Sequence, residues 1–344
     1  MRLFVFGLGY SARVVVERMR PRLEAVWGTT RDAGKFNEIA ALGVSPLLLN
    51  AGSLQQAEEA PSHPSPSPSP QGGGGQVALD PAHQSRHEGR LPSPLWGGAG
   101  GGVAPTLPEL DQAFGEALAI SDHILVSIAP DETGDPVINH FRTALAASKP
   151  KSLVYLSTIG VYGDHGGAWV DEATPCRPVS KRSRQRVEAE AAWRRFAEET
   201  GVPVAIIRLA GIYGPGRGPF EKIRRGTARR IVKPGQVFNR IHVDDIAAIV
   251  EASFLRRAHG VFNGTDDEPA PPQEVLAYAA DLLGVPPPPE VAFEAAELSP
   301  MARSFYGENK RVLNSRIKDE IGVHLSYPTY YEGLRAILAE ELVR

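Results

Sequence analysis

Short apolar runs alternate with amphipathic stretches along the first 50 residues. The run over 2–6 predicts a buried strand that ends at Gly7. A helix, a strand, a second helix and a third strand follow in the pattern, over 11–20, 24–28, 33–42 and 44–49. This alternation at the spacing of βαβ units predicts an α/β protein with a doubly wound parallel sheet.

The same alternation returns in the second part of the chain. Strands are predicted over 123–128, 152–157 and 203–208. Helices are predicted over 108–120, 136–148, 180–199, 244–257, 272–284 and 328–341. The strands and helices predict a Rossmann arrangement, with helices on both faces of the sheet.

Residues 51–107 break this pattern, with 11 Gly and 9 Pro in 57 positions. Such a composition cannot bury enough apolar surface to offset the entropy of ordering it, so the segment is predicted to be an unstructured insertion. A binding tail or a lid is the functional alternative. A tolerated surface insertion is favoured, because lengthening a loop costs little stability.

Charge and cysteine content exclude several classes of protein. The 37 Lys and Arg against 40 Asp and Glu give a net charge of −3, which argues against a chain-wide nucleic-acid or anionic-membrane surface. The single cysteine, Cys176, excludes a disulfide within the chain and fits a reducing compartment. No apolar run approaches the ~18 residues of a membrane span. The expectation is a cytoplasmic protein with a small-molecule partner, and neither nucleic acid nor membrane.

The pattern G-x-G-x-x-A follows the first predicted strand and opens the first predicted helix. It comprises Gly7, Leu8, Gly9, Tyr10, Ser11 and Ala12. Gly7 permits a tight turn, Gly9 lets the backbone approach a pyrophosphate, and Ala12 allows close helix–sheet packing. The position after the first strand predicts dinucleotide binding, and a turn needed only for packing is the alternative.

The end of the second strand favours NADP over NAD. Thr30 and Arg31 stand where an acid would bind the ribose 2′-hydroxyl of NAD, and a guanidinium suits a 2′-phosphate. The alternative is that Arg31 is solvated and Asp32 binds the ribose. The other candidates for cofactor binding follow the third and fourth strands: Asn50, Ser127, Ile128 and Ala129.

Three further segments carry a family resemblance: 156–163 (LSTIGVYG), 208–216 (RLAGIYGPG) and 240–247 (RIHVDDIA). Together with the glycine pattern, they resemble the extended short-chain dehydrogenases/reductases of the NAD-dependent epimerase/dehydratase group. The resemblance covers 1–50 and about 108–344. It implies a Rossmann domain over 1–208 and a small C-terminal substrate lobe over 209–344, from which 240–265 return to the Rossmann domain.

The sequence departs from this family where the family carries Tyr-x-x-x-Lys. With the register set by Pro178, Ser180 and Glu190, Arg182 stands at the tyrosine position and Arg186 at the lysine position. Arginine stays protonated at physiological pH and cannot replace a phenol that exchanges a proton. The resemblance therefore implies an atypical member, whose acid/base step is absent or supplied by other residues.

Several residues are candidates for the reaction site. Thr158 fits a hydroxyl that binds a substrate oxygen, or else a cap at the end of a strand. His165 lies on a loop and could exchange a proton, although most loop histidines are only solvated. Four residues are candidates for contacting the substrate: Tyr162, Tyr213, Arg217 and Arg240.

Residues 217–233 hold seven basic residues against one acid, Glu221. The resemblance places this segment in the substrate lobe, where it would grip a diphosphate or another anion, and a solvated helix face is the alternative. Further along, His242 is expected to be a packing or turn residue. Asp244 is expected to cap the helix that begins near it.

Two functions fit these observations. The first is an NAD(P)-dependent oxidoreductase or epimerase that acts on a small, nucleotide-sugar-like or anionic substrate with non-standard acid/base residues. The second is a non-catalytic NADP(H)-binding sensor or regulatory module. The substituted dyad favours the second, and the segments that resemble the family's substrate side favour the first. A third function, a structural scaffold, is supported only by the arginine-rich helix. The sequence does not decide whether the protein forms a homodimer.

Overall fold

A computed structural model describes residues 1–49 and 107–343. Asn50 and the predicted insertion, apart from Leu107, lie outside the described residues. Within the described ranges, no helix is long and apolar enough to cross a membrane.

The six predicted strands and the eight predicted helices are present in the described residues, together with strands and short helices that the pattern did not predict. The strands are β1 (Arg2–Phe6), β2 (Ala25–Thr30), β3 (Ser45–Leu48), β4 (His123–Val126), β5 (Ser152–Thr158), β6 (Trp169–Val170), β7 (Val204–Leu209), β8 (Gly211–Tyr213), β9 (Arg230–Val232), β10 (Arg240–His242), β11 (Gly260–Gly264), β12 (Glu290–Ala292) and β13 (Arg311–Val312). The α-helices are α1 (Tyr10–Met19), α2 (Phe36–Ala41), α3 (Leu107–Ile120), α4 (Pro136–Ser148), α5 (Lys181–Thr200), α6 (Phe220–Arg224), α7 (Val243–Arg256), α8 (Pro272–Leu282), α9 (Pro300–Phe305), α10 (Ser315–Asp319) and α11 (Tyr330–Val343).

The main sheet has seven parallel strands in the order β3–β2–β1–β4–β5–β7–β11. The predicted doubly wound parallel sheet is therefore confirmed. The strand order reverses between β1 and β4. In such sheets, ligands bind beside the carboxyl ends of the strands at this reversal.

Each face of the sheet packs against its own group of helices. Leu3 and Val5 of β1 enter a core formed with α1 and α7, whereas Phe4 and Phe6 enter a second core with α3, α4 and α5. The alternation follows from the two-residue period of a strand, whose successive side chains point to opposite faces. A strand buried on both sides reads as a continuous apolar run, which is why the sequence pattern predicted β1.

Two local predictions differ from the structure. The helix predicted over 33–42 begins as a 3₁₀ turn over Ala33–Lys35, and Asp32 caps this turn by accepting a 2.9 Å hydrogen bond from Gly34 N–H. The prediction that Asp244 caps a helix was wrong. α7 begins one residue earlier, and the Nδ1 atom of His242 accepts the hydrogen bond from Asp244 N–H at 3.2 Å.

The C-terminal part of the chain builds a smaller layer beside the carboxyl edge of the main sheet. It contains the two-stranded pairs β8–β10 and β9–β12, and its strand β13 pairs with β6 from the loop after β5. Its core includes Tyr213, Phe220, Tyr330 and Leu334. From β10 the chain continues directly into α7 and β11, and β11 pairs with β7 as the edge strand of the main sheet.

Candidate functional site

The glycine loop forms a tight turn at the carboxyl end of β1. Gly7 has a φ of +87°, and a Cβ atom added there would lie 2.8 Å from the Cγ1 atom of Ile128. The Gly7 N–H donates a 2.8 Å hydrogen bond to the Oγ1 atom of Thr29 on β2. Ala12 is fully buried against the sheet. Both the turn and the helix packing therefore require small residues at these two positions.

Gly9 leaves the start of α1 open. It occupies the N-cap position without a side-chain cap, and a Cβ atom added there would meet no heavy atom within 4 Å. The first-turn amides of a helix have no partner inside the helix and carry the positive end of its dipole. This open helix start fits the diphosphate of a dinucleotide.

Arg31 and Asp32 differ in the hydrogen bonds that their side chains make. The Asp32 carboxylate accepts the Gly34 N–H, and the Asp32 N–H donates to the Oγ1 atom of Thr30 at 3.2 Å. Arg31 is exposed and has no hydrogen bond or ion pair among the described residues. At the end of β2, the arginine is therefore the side chain free to bind a ligand group.

The residues after β4 line the same edge of the sheet. The Ser127 N–H donates to the Phe6 carbonyl oxygen at 2.9 Å, which keeps the chain beside β1 for one more residue. Ile128 adjoins Gly7, and Ala129 is exposed. Leu8 is buried and packs near Gly28, so only its backbone can face a ligand.

The turn after β8 packs on the start of α1. The Tyr10 hydroxyl donates to the Pro215 carbonyl oxygen at 3.0 Å, and the guanidinium carbon of Arg217 lies 5.6 Å from the centre of the Tyr10 ring. Ser11, next in the loop, is buried. Burial raises the pKa of Tyr10, and the charge of Arg217 opposes that rise. The structure therefore places Arg217, a candidate for substrate contact, beside the glycine loop.

Thr158 lies at the carboxyl end of β5, beside the first turn of α5. Its Oγ1 atom accepts a 3.2 Å hydrogen bond from Gly160 N–H, as expected for a strand-end cap. A Cβ atom added to Gly160 would lie 2.9 Å from the Ser183 Oγ atom and 3.5 Å from Thr158 Oγ1. The hydroxyl oxygen of Ser180, the N-cap of α5, accepts a hydrogen bond from the Ser183 N–H, and the Ser180 hydroxyl donates to the Ser183 Oγ atom. The Thr158 and Ser183 hydroxyl groups therefore both lie next to this point, and Ser180 is hydrogen-bonded to Ser183.

The two arginines of the substituted dyad point in different directions. The Nη1 atom of Arg186 donates to the Tyr155 hydroxyl and to the Leu156 carbonyl oxygen, both at 2.8 Å. Arg182 is exposed, and its Nη1 atom lies 3.9 Å from the Sδ atom of Met301 on α9. Arg186 is thus hydrogen-bonded to β5, whereas Arg182 faces the C-terminal lobe.

A buried ion pair lies behind Thr158. Glu190 has no exposed surface and accepts hydrogen bonds from the Ser157 hydroxyl at 2.6 Å and from Arg208 Nη2 at 2.7 Å. Arg208 also contacts the Cys176 Sγ atom at 3.2 Å and lies over the Tyr162 ring. Burial disfavours the charge of Arg208, yet Glu190 raises its pKa above the ordinary value.

Sequence reasoning used Glu190 only to set the register of α5 and missed its pairing with Arg208. The two residues lie 18 positions apart, on a helix and the following strand. A buried ion pair of this kind has no local sequence signal, because it depends on how the helix packs against the sheet.

Tyr162 and His165 belong to the loop after β5. Tyr162 is fully buried, and its hydroxyl donates to the Oδ1 atom of Asn263 at 2.8 Å. Burial raises the pKa of Tyr162 to about 12. The Nε2 atom of His165 lies 3.1 Å from the Tyr162 carbonyl oxygen, and the His165 N–H donates to the Asn309 carbonyl oxygen. His165 therefore ties this loop to the segment that precedes β13.

Tyr213 and Arg240 lie in the interior of the C-terminal lobe. The Tyr213 hydroxyl is 3.4 Å from the Thr329 carbonyl oxygen, and Arg240 Nη1 donates to the carbonyl oxygens of Phe238 and Ala270. Burial lowers the pKa of Arg240 and raises that of the neighbouring Asp266. The structure thus separates Arg240 from Arg217, although both were candidates for the same anionic substrate.

Most of the basic residues over 217–233 are already paired. Three of these pairs join Arg224 to Glu341, Arg225 to Glu221 and Arg230 to Glu290. Arg229 and Lys233 donate to backbone carbonyl oxygens. In the part of the chain that the structure describes, Arg217 and Lys222 are the two without an ion pair or side-chain hydrogen bond. Because most of these cations are already paired, the segment fits a surface of local ion pairs better than a cluster that binds one anion.

Comparisons with known proteins agree with this architecture. A model of the NAD dependent epimerase/dehydratase family matches residues 136–260. A solved structure of a functionally unknown conserved protein from Silicibacter pomeroyi DSS is 42% identical, with 98% of each chain covered and a TM-score of 0.74. The family match assigns residues 136–260 to an NAD-dependent epimerase/dehydratase domain. The seven parallel strands and the glycine loop after β1 together form an NAD(P)-binding Rossmann fold.

Two further proteins are similar to this chain. The protein YeeZ of Escherichia coli (strain K12) is 32% identical over 189 residues, which are 54% of this chain and 62% of YeeZ. The human epimerase family protein SDR39U1, solved with NADPH, is 17% identical, with 98% and 99% of the chains covered and a TM-score of 0.63. At that identity the human structure shows the fold alone. The matches span 51% to 62% of the length of the curated relatives.

Proposed function

We propose that this chain is an NADP(H)-dependent oxidoreductase or epimerase that acts on a small substrate. The observation that carries the proposal is the open start of α1 at Gly9, with the unpaired Arg31 at the end of the neighbouring strand β2. A nicotinamide cofactor bound there supplies or accepts a hydride. The human relative with the same fold was solved with NADPH, which supports this choice.

The proposed cofactor contacts follow from the geometry of the sheet edge. The first-turn amides of α1 hold the diphosphate, where the helix dipole favours negative charge. Thr30 and Arg31 hold the 2′-phosphate of NADP, because a guanidinium binds a phosphate with two parallel hydrogen bonds. Ser127, Ile128 and Ala129 line the edge beyond the glycine loop.

The proposed reaction site is beside Thr158. Its hydroxyl accepts the Gly160 N–H and donates no hydrogen bond within residues 1–49 and 107–343, so it is free to donate to a substrate oxygen. Arg182 and Arg186 are proposed to stand at the tyrosine and lysine positions of the family. Their guanidinium groups can hold an anion but cannot exchange a proton. His165 stays the candidate for proton exchange.

Replacing Arg31 by glutamate tests the preference for NADP. The carboxylate repels the 2′-phosphate, and one charged contact of this type is worth about 1.5–3 kcal/mol. We expect NADPH affinity to fall about ten- to a hundredfold and NADH affinity to change much less. Titration of each cofactor by its fluorescence measures both values. If the substitution weakens both cofactors equally, Arg31 does not contact the 2′-phosphate.

Arg217 is proposed to contact the diphosphate, which both cofactors share. We expect Arg217→Ala to lower NADPH and NADH affinity by the same factor, about three- to tenfold, since a partly exposed charge contact is worth about 1 kcal/mol. Lys222→Ala is the matched control, because Lys222 is an exposed cation of the same segment without an ion pair in the described chain. Unchanged binding of both cofactors would place Arg217 elsewhere.

A second candidate function is a non-catalytic NADP(H) sensor. The observation that favours it is Arg186, whose Nη1 atom is occupied by Tyr155 and Leu156 and cannot replace the proton-handling lysine. A single-turnover assay of NADPH oxidation with sugar nucleotides and small carbonyl compounds separates the two functions. Oxidation of bound NADPH by any of these compounds supports the enzyme. A homodimer and a cytoplasmic location stay predictions, and light scattering on the purified protein measures the first.

A further inference from the structure

We propose that the substrate is a small carboxylate with an apolar body, bound between the start of α5 and α9. In this arrangement Arg182 pairs with the carboxylate, and Met301 and Phe305 contact the apolar body. The inference rests on the proposed function, because it names the substrate class of the site beside Thr158. It departs from a nucleotide sugar, which the family resemblance implies.

The first observation is an unsatisfied cation. The guanidinium of Arg182 is exposed, and its one side-chain contact among the described residues is the Met301 Sδ atom at 3.9 Å. A thioether is a weak hydrogen-bond acceptor, whereas a guanidinium offers five donors that match a carboxylate in pairs. Arg182 therefore faces the lobe with most of its donors free for a ligand.

The second observation is exposed apolar surface next to this cation. Met301 is 56% exposed and Phe305 is 58% exposed. Because they are four residues apart on α9, both side chains lie on the same side of that helix. Val179, in the loop that precedes α5, is 53% exposed. Large apolar side chains grouped at a surface mark a site that binds another molecule.

The third observation is the position of this surface. Arg182 is the neighbour of Ser183, whose Oγ atom lies 2.9 Å from the point where Gly160 would carry a Cβ atom. Thr158 Oγ1 lies 3.5 Å from the same point. The first turn of α5 therefore carries both Arg182 and a hydroxyl group next to Thr158, where the reaction is proposed.

The charges of the lobe argue against a nucleotide sugar. A diphosphate carries two negative charges and binds most strongly to several unpaired cations. In the described part of the lobe, Arg224, Arg225 and Arg230 already pair with acids. Arg217 lies beside Tyr10, on the cofactor side. Among the described residues, Arg182 faces α9 with no ion pair, which matches a single carboxylate.

Calorimetry on the NADP⁺-loaded protein tests the substrate class. The probes are 3-phenylpropionate, indole-3-acetate and octanoate, with 3-phenylpropan-1-ol as the uncharged match and UDP-glucose as the nucleotide sugar. We expect at least one carboxylate to bind at least tenfold more tightly than the alcohol and UDP-glucose. Arg182→Ala should weaken that carboxylate at least tenfold. Arg182→Lys should weaken it less, because it keeps the charge and loses the planar pair of donors.

Control variants show whether a change in carboxylate affinity comes from the apolar contact, from the charge of Arg182 or from damage to the fold. Met301→Ser with Phe305→Ser should weaken the carboxylate at least tenfold, whereas Arg195→Ala, an exposed arginine further along α5, should leave it unchanged. The proposal is overturned if no carboxylate binds, if UDP-glucose binds more tightly, or if Arg182→Ala binds like the wild type. NADPH titration of the wild type comes first. If the wild type does not bind NADPH, the proposed function is overturned. The same carboxylates are then titrated into the cofactor-free protein to test the carboxylate site.

Discussion

Replacing Glu190 by alanine is expected to lower the free energy of unfolding by about 3–5 kcal/mol, since removing one partner leaves a buried charge uncompensated. Glu190 is fully enclosed and holds both Arg208 and the Ser157 hydroxyl. Without the carboxylate, the guanidinium of Arg208 stays in the interior with the Tyr162 ring and the Cys176 thiol as its neighbours. Unfolding in urea measures the loss.

The control for this prediction is Glu188→Ala on the same helix. Glu188 is exposed, and substitutions of this kind change stability by about 0.5 kcal/mol or less. The double variant Glu190→Met with Arg208→Met should recover most of the loss, because an apolar pair of similar volume often replaces a buried ion pair without a penalty. A Glu190→Ala protein as stable as Glu188→Ala would show that the pair contributes nothing to the fold.

Replacing Gly9 by aspartate is expected to abolish cofactor binding while leaving the fold intact. The backbone at Gly9 has a φ of −85° and a ψ of −168°, which any residue can adopt, and an added Cβ atom meets nothing within 4 Å. An aspartate at this N-cap position accepts the first-turn amides of α1, which stabilises the helix by a few tenths of a kcal/mol. The same amides are then closed to the diphosphate.

The expected loss of affinity is at least about a thousandfold for both NADPH and NADH, because like charges in contact cost several kcal/mol. The melting temperature should stay the same or rise slightly. Gly9→Ser is the neutral match, since it caps the helix without a negative charge, and its loss of affinity should be much smaller. Full binding by the aspartate variant would mean that the cofactor does not lie over Gly9.

The sequence alone was sufficient for six of the seven strands of the main sheet, for most helices and for the glycine loop, but it did not predict the edge strand β11. Strands buried on both faces are continuous apolar runs, and the turn at Gly7 lies between a strand and a helix that are adjacent in the chain. These signals are local, so they can be read from neighbouring residues. The boundaries were less certain where a cap decides them: Asp32 begins a 3₁₀ turn before α2, and His242 rather than Asp244 caps α7.

Only the tertiary structure decided which charged side chains are free. The sequence presents the basic residues over 217–233 as one cluster, yet Arg224 and Arg230 pair with Glu341 and Glu290, far along the chain. Arg182 and Arg186 are one helical turn apart, but one faces the lobe and the other braces β5. The energy of an ion pair depends on the distance and burial of its two charges, and neither quantity is set by spacing along the chain.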